Sequence, residues 1–238
     1  VTLALTVALS VAIVYGMMLR LLAVSDGLSR TTPRPISRVS ADPRGTPVGL
    51  HITAIVGPMF SAKTTTLARI ISACGDPSRA VFKHRKDGRT SGSLSSHDAT
   101  LSDTIQATPI RSLHEVAEYV DAQRTQWVYI DEIQWFERDD AASAIARMAC
   151  YARPRNLVVA GLDLDFRGEE FPTTRLFMQR ANDRICLLAV CACCGAPAPM
   201  SYLRAVVTGT EGPVGGADQY EPRCVECHAA GVTQKENS

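Results

Sequence analysis

The sequence predicts an α/β fold: a mostly parallel sheet with helices on both faces, followed by a small zinc-binding lobe. Three observations predict it. Short apolar runs at residues 52–56, 127–130 and 157–161 alternate with longer stretches of helical period, and that alternation builds parallel sheets covered on both sides. The first run opens directly into Gly57-Pro58-Met59-Phe60-Ser61-Ala62-Lys63-Thr64, a glycine-led loop whose Lys-Thr starts a helix, as in a phosphate-binding strand–loop–helix. Past residue 190 the apolar runs stop, and two Cys-x-x-C pairs follow, Cys191/Cys194 and Cys224/Cys227.

Length and charge limit the function classes. A chain of 238 residues, 46% hydrophobic, suits one medium domain with an appendage. A net charge of +1 speaks against a nucleic-acid groove, which needs clustered Lys and Arg. Eight cysteines, half of them in the two pairs, suggest metal rather than disulfides.

Taken in order, residues 1–24 are strongly apolar, with Arg20 the first charge, and residues 25–48 are rich in Ser, Pro and Arg. The first stretch is barely long enough to span a bilayer and also fits the apolar region of a signal peptide. The second is a linker by composition, too polar to bury a core. A membrane anchor, a cleaved targeting segment and a stretch outside the functional protein all fit. The lack of another membrane-length run favours the last two.

The nucleotide-binding domain is expected over residues 49–190. Within it, 52–56 reads as a buried strand, 65–71 as the first helix and 80–84 as the second strand. Residues 85–103 are polar and carry Gly88 and Gly92, a long loop of the kind that is usually functional. Ser112-Leu113-His114-Glu115 is a capping box, and Val116, Ala117, Tyr119 and Val120 continue it as a helical stripe. The strand at 127–130 ends in Asp131-Glu132. A helix at 139–151, a strand at 157–161, a helix at 173–182 and a last buried strand at 185–190 complete the domain. The lobe occupies 191–228, and 229–238 reads as a disordered tail. Cys74, Cys150 and Cys186 stand in apolar surroundings and are expected in the core.

The motifs carry chemistry. The first turn of a helix has unpartnered N–H groups and a dipole that favours anions. Gly57 to Thr65 would therefore cradle a triphosphate in a P-loop NTPase (RecA-like) sheet, with Lys63 on the terminal phosphates and Thr64 on Mg²⁺. Glycine is usual where Ala62 stands, because it reaches backbone angles that alanine resists. A degenerate, non-catalytic nucleotide-binding protein is thus one rival reading, and another zinc-containing P-loop ATPase is a second. An apolar strand that delivers Asp131 and Glu132 at its carboxyl end supplies the other half of the site. Cys191, Cys194, Cys224 and Cys227 would hold structural Zn²⁺ and staple a lobe too small for a core of its own. Disulfides, or a substitution of Cys193 or His228 into the ligand set, remain alternatives.

These stretches also run in a recognisable order. The phosphate loop, Asp131-Glu132-Ile133-Gln134-Trp135-Phe136, Ala160-Gly161-Leu162-Asp163-Leu164-Asp165-Phe166-Arg167-Gly168-Glu169-Glu170-Phe171, Met200-Ser201 after the first Cys pair and Gly215-Gly216-Ala217-Asp218-Gln219-Tyr220 before the second together resemble the type II thymidine kinase family, the cytosolic type with a zinc lobe. The resemblance spans residues 50 to 228. It implies a cytoplasmic homotetramer that moves the γ-phosphate of ATP to the 5′-hydroxyl of thymidine, giving dTMP for DNA synthesis. It implies Glu132 as general base, with Asp131 in the magnesium shell and Gln134 beside the nucleotide. It further implies Met59, Trp135, Leu162, Phe166 and Phe171 around the base, Ser201 near its 5-methyl group and Tyr220 on a closing loop. Asp87 and Arg89 match an Asp-x-Arg of the family; Arg89 is either a phosphate partner or a solvated surface residue. Residues 210–214 depart from the family's apolar strand, and Pro213 there cannot donate a hydrogen bond.

Overall fold

The structure, a computed structural model, describes residues 49–87, 92–94, 105–123, 125–150, 155–204 and 218–236. The segments at 1–24 and 25–48, Arg89 and the loop at 210–214 lie outside these residues. The central element is a six-stranded sheet of order β5-β2-β6-β7-β1-β8, every neighbouring pair parallel. Its strands are β1 (Leu50–Val56), β2 (Arg79–His84), β5 (Thr108–Ile110), β6 (Trp127–Asp131), β7 (Arg155–Gly161) and β8 (Asp183–Cys186). Two two-residue strands, β3 (Ser93–Leu94) and β4 (Ile105–Gln106), pair with each other apart from it.

The alternation of side chains along each strand sorts the core into two layers. Ile52, Ala54, Val128, Ile130, Leu157 and Val159 face one layer. It is filled by α2 (Leu113–Gln123), α3 (Arg138–Ala149) and α4 (Pro172–Arg180) through residues such as Leu113, Val116, Ile145, Met148 and Phe177. Ile55, Tyr129, Val158 and Ala160 face the other layer, against Leu67 and Ile71 of α1 (Lys63–Cys74). Helices thus cover both faces, and the strands read as continuous apolar runs because both of their sides are buried. The capping box at the start of α2 forms: Glu115 accepts from the Ser112 N–H at 3.0 Å, and the Ser112 hydroxyl accepts from the His114 N–H at 3.1 Å.

The order also fixes where the two acids stand. β7 separates β1 from β6, so the strand ending in the phosphate loop and the strand ending in Asp131-Glu132 are about 10 Å apart, two strand spacings. A site between them needs α1 to start across the end of β7, which it does.

The small lobe follows. β9 (Ala189–Val190) pairs with β10 (Pro197–Ala198), β11 (Met200–Leu203) pairs with β12 (Tyr220–Arg223), and α5 (Val225–Glu236) closes the chain. The single buried strand expected over 185–190 is not what forms. β8 stops at Cys186, the Leu187 N–H goes to the Val56 carbonyl, and Ala189–Val190 leaves to join the lobe. An edge strand needs no second buried face, and Leu188 and Val190 are indeed exposed. Residues 229–236, expected as a tail, continue α5. Cys150 and Cys186 are exposed rather than in the core. Tyr119, expected on the buried stripe of α2, is exposed and sets its ring edge-on to Phe82 at 5.4 Å. Among the described residues no helix is long and apolar enough to cross a membrane.

Candidate active site

The loop between β1 and α1 folds on itself. The Ser61 hydroxyl and the Lys63 ammonium both donate to the Pro58 carbonyl, at 2.9 and 2.6 Å. Gly57 sits where a Cβ would meet the Leu187 carbonyl oxygen at 2.3 Å, so only glycine fits between the loop and the turn after β8. Ala62 is the last residue before the helix and lies in the left-handed region, φ 62°, ψ 31°. Its carbonyl accepts from both the N–H and the hydroxyl of Thr66 at 2.9 Å. The alanine therefore adopts the conformation for which glycine is usual, at a local cost of about 1–2 kcal/mol. The loop holds this strained residue by the two Thr66 hydrogen bonds.

A measurable consequence follows at this position. Ala62→Gly relieves the left-handed strain, while the freer unfolded chain returns about 0.5–1 kcal/mol of that gain. The expected result in thermal unfolding is a rise of about 1–3 °C for a chain of this size, with kcat changed by less than about threefold. A gain of activity from nothing would instead show that the natural loop cannot hold nucleotide.

Thr64, the second residue of α1, donates its hydroxyl to Asp131 Oδ2 at 2.9 Å, and the other carboxylate oxygen accepts the Glu132 N–H at 2.9 Å. The strand end and the helix start are thereby joined across β7. Burial pushes the Asp131 carboxyl up, to about 7. The Glu132 charge adds to the rise, against the Thr64 and Glu132 hydrogen bonds and the charge of Lys63. A hydroxyl and a buried carboxylate at this separation fit a magnesium ion, which takes few protein oxygens and keeps the rest for water and phosphate.

Glu132 itself has φ 59°, ψ 43°, a left-handed conformation unusual for a residue with a side chain. The turn ends β6 abruptly and starts the short 3-10 helix Ile133–Trp135. Gln134 in that helix spends its amide inside the protein. Its Nε2 donates to Glu132 Oε2, and its Oε1 accepts the Leu162 N–H at 3.1 Å. Gly161 makes this possible, since a Cβ there would stand 2.7 Å from Gln134 Oε1 and 2.5 Å from Ile133 Cγ1.

Around this core the remaining candidates divide. Trp135 and Phe171 approach edge to face, centroids 6.4 Å apart, and the Lys86 ammonium lies 5.5 Å from the Trp135 ring. Met59 is tied to the lobe, its N–H donating to Ser201 Oγ at 2.9 Å. Leu162 is held by Gln134. Phe166 rides on a closed hairpin of residues 163–171, in which Asp165 and Glu169 exchange a main-chain bond and Leu164 bridges Glu170. Tyr220 is buried at the start of β12. Burial raises its phenol above the ordinary value, and the charge of Asp165 adds to that. Phe60 within the loop is exposed, and Thr65 in the first turn of α1 is buried.

One residue escaped the sequence reading. Lys83 is 1% exposed on β2, opposite Asp131 in the ladder, and pairs with Asp87 at 3.4 Å. A single cation inside an apolar strand was its only signal. His84 beside it has its pKa lowered, by burial first and by Lys86 second, and its ring meets Phe136 edge-on at 4.6 Å.

In the lobe, Cys191, Cys194, Cys224 and Cys227 place their sulfurs within 4.8 Å of one another. Cys194 and Cys224 are 3.7 Å apart, close to the roughly 3.8 Å edge of a tetrahedron with Zn–S bonds of about 2.3 Å. Main-chain N–H groups of Cys224, Cys194 and Cys193 hold the Cys191 thiol down, to about 6, whereas its neighbours push the Cys227 thiol up. Four thiolates this close need a divalent cation to ionise together, so the set fits zinc. Cys193 is exposed and outside the cluster. His228 is outside it too, its Nε2 on the Phe166 carbonyl at 2.9 Å.

Comparison with known proteins converges on one family. The family model described as thymidine kinase matches residues 50–228. A thymidine kinase of Pyrobaculum aerophilum is 36% identical over 183 residues, 73% of this chain and 95% of that protein. One from Thermococcus kodakarensis is 31% identical over 193 residues, 76% and 94% of the two chains. One from Chloroflexus aurantiacus is 31% identical over 194 residues, 77% and 97%.

Proposed function

The chain belongs to the thymidine kinase family, and from that membership we infer the reaction: an ATP-dependent phosphoryl transfer to thymidine, in which the γ-phosphate goes to the 5′-hydroxyl with Glu132 as general base. The observation that carries this reading is the 2.9 Å bond between Thr64 of the phosphate loop and Asp131, the residue immediately before Glu132. It brings a triphosphate cradle and a carboxylate to the same end of the sheet, where ligands of parallel sheets collect.

The roles follow from chemistry. Backbone N–H groups from Gly57 to Thr65 bind phosphate oxygens, and Lys63 exchanges the Pro58 carbonyl for the terminal phosphates. Thr64 and Asp131 would hold magnesium, which would supply neutralisation of phosphate charge. Glu132 accepts the hydroxyl proton as the oxygen attacks in line. Gln134, beside the nucleotide, also joins the Glu132 carboxylate to the Leu162 backbone. Met59, Leu162, Trp135, Phe166 and Phe171 form a flat apolar slot for a pyrimidine, with Ser201 and Tyr220 closing it from the lobe. Zinc on the four cysteines is structural. A homotetramer in the cytoplasm is the assembly and location that accord with the family.

The direct test follows label from γ-labelled ATP into thymidine, with α-labelled ATP as control. Label in dTMP from the γ-position alone is the expected result. Release of labelled phosphate without labelled dTMP would leave an ATPase and overturn the assignment.

A further inference from the structure

We propose that His228 is a positioning residue for the nucleoside slot: its imidazole donates Nε2–H to the Phe166 carbonyl and fixes the hairpin on which the pyrimidine rests. The proposal deepens the functional reading above and rests on its assignment of Phe166 to that slot.

The bond joins two elements 62 residues apart, at 2.9 Å. A carbonyl only accepts, so Nε2 carries the proton in this contact. The ring is 7% exposed and is held on several sides. Tyr202 stands perpendicular to it, centroids 5.7 Å apart. The Tyr202 hydroxyl donates to the Gly231 carbonyl at 3.0 Å, on the same helix as His228. The Arg223 guanidinium covers Tyr202 at 3.5 Å and donates to the Cys227 carbonyl at 3.1 Å. Gly231 lets the helix come this close, since a Cβ there would lie 2.1 Å from Arg223 Nη1 and 2.8 Å from Tyr202. The imidazole is therefore packed against Tyr202 on one side while its Nε2 meets the hairpin.

On the other side, the hairpin is rigid within itself. Phe171 N–H bonds the Asp163 carbonyl at 3.1 Å, Asp165 N–H bonds the Glu169 carbonyl at 2.9 Å, and the Asp165 carboxylate accepts from the Arg167 and Glu169 N–H groups at 2.8 and 2.9 Å. A unit closed in this way moves as one body about its base at Asp163 and Phe171. A hydrogen bond near its tip, at Phe166, sets its angle. Glu132, Lys63 and Thr64 belong to other elements, so a change in that angle alters how the nucleoside binds and leaves the chemical step alone.

The experiment uses the zinc-loaded protein and three variants, His228→Ala, His228→Gln and Phe166→Ala, with thymidine and ATP varied separately. His228→Ala is expected to raise the thymidine KM about tenfold, the effect of leaving one part-buried carbonyl without its donor. The ATP KM should hold, kcat should change by less than about threefold, and zinc content should stay unchanged. His228→Gln, whose amide donates at similar reach, should return the thymidine KM to within about threefold of the natural protein. Phe166→Ala should raise the same KM. A thymidine KM unmoved by His228→Ala while Phe166→Ala raises it overturns the proposal and leaves the slot assignment standing. A KM unmoved by Phe166→Ala removes Phe166 from the slot and overturns both. Loss of zinc from His228→Ala, an equal fall in kcat, or no rescue by glutamine also overturns it, since the ring would then be holding the lobe together rather than aiming the hairpin.

Discussion

Glu132→Gln is expected to lower kcat by about 10²–10⁴-fold, the range for removal of a positioned general base, while the KM values for thymidine and ATP stay within a few-fold. The substitution is chosen because it changes little else. Gln134 donates to Glu132 Oε2, and an amide oxygen at that position still accepts. The turn at φ 59° is set by the end of β6 and the packing of Ile133, which is fully buried. Shape, hydrogen bond and strain persist, and only the capacity to take a proton disappears. Steady-state kinetics with thymidine and ATP checks this. A variant that keeps more than about a tenth of the natural kcat shows that Glu132 orients rather than accepts. Asp131→Asn sharpens the comparison: it should raise the magnesium requirement, because Asp131 meets Thr64 and not the nucleoside.

Much of this site is legible in the sequence because its parts are local. The phosphate loop is eight consecutive residues with a strand before and a helix after. Asp131-Glu132 follows an apolar strand directly, and each cysteine pair is one turn of chain. What is not legible is whatever depends on distant residues meeting. Lys83 reads as one cation in a strand, and only the ladder places it opposite Asp131. The contact from His228 to Phe166 has no signature at either end. Residues 185–190 are apolar throughout, so hydrophobicity cannot show where an edge strand stops and a lobe begins. That break is set by Leu187 bonding Val56. Ala62 is a different case. A sequence rule flags it as a wrong residue, yet the surrounding hydrogen bonds hold an alanine in a glycine conformation.

Removing the zinc proposed for the four cysteines is the second large perturbation, and the lobe should lose its fold while the six-stranded sheet keeps its own. The packed centre of the lobe consists of Ala189, Ala198, Cys191 and Cys224, with Ala196 and Cys227 against them. Three alanine methyls contribute about 0.8 kcal/mol each when buried. Ordering the backbone costs about 1–2 kcal/mol for every residue, so these methyls alone cannot hold a segment of this length, and Tyr202, Leu203 and Tyr220 are the other large side chains buried in the lobe. A structural zinc site supplies on the order of 10 kcal/mol, several times what these methyls contribute. The sheet has two full apolar layers and does not depend on the metal. Two bonds then fail together, Ser201 to Met59 and His228 to Phe166, one reaching the loop after β1 and the other the proposed nucleoside slot. Chelation, or Cys224→Ser, is therefore expected to abolish thymidine binding, to make the chain beyond about residue 190 sensitive to protease, and to leave a protected fragment holding the sheet. One zinc per chain in the natural protein is the matching analytical result. A metal-free protein that resists protease throughout and binds thymidine with unchanged affinity would show that the four thiols are ornamental to the fold, and that the lobe stands by contacts other than those among its cysteines.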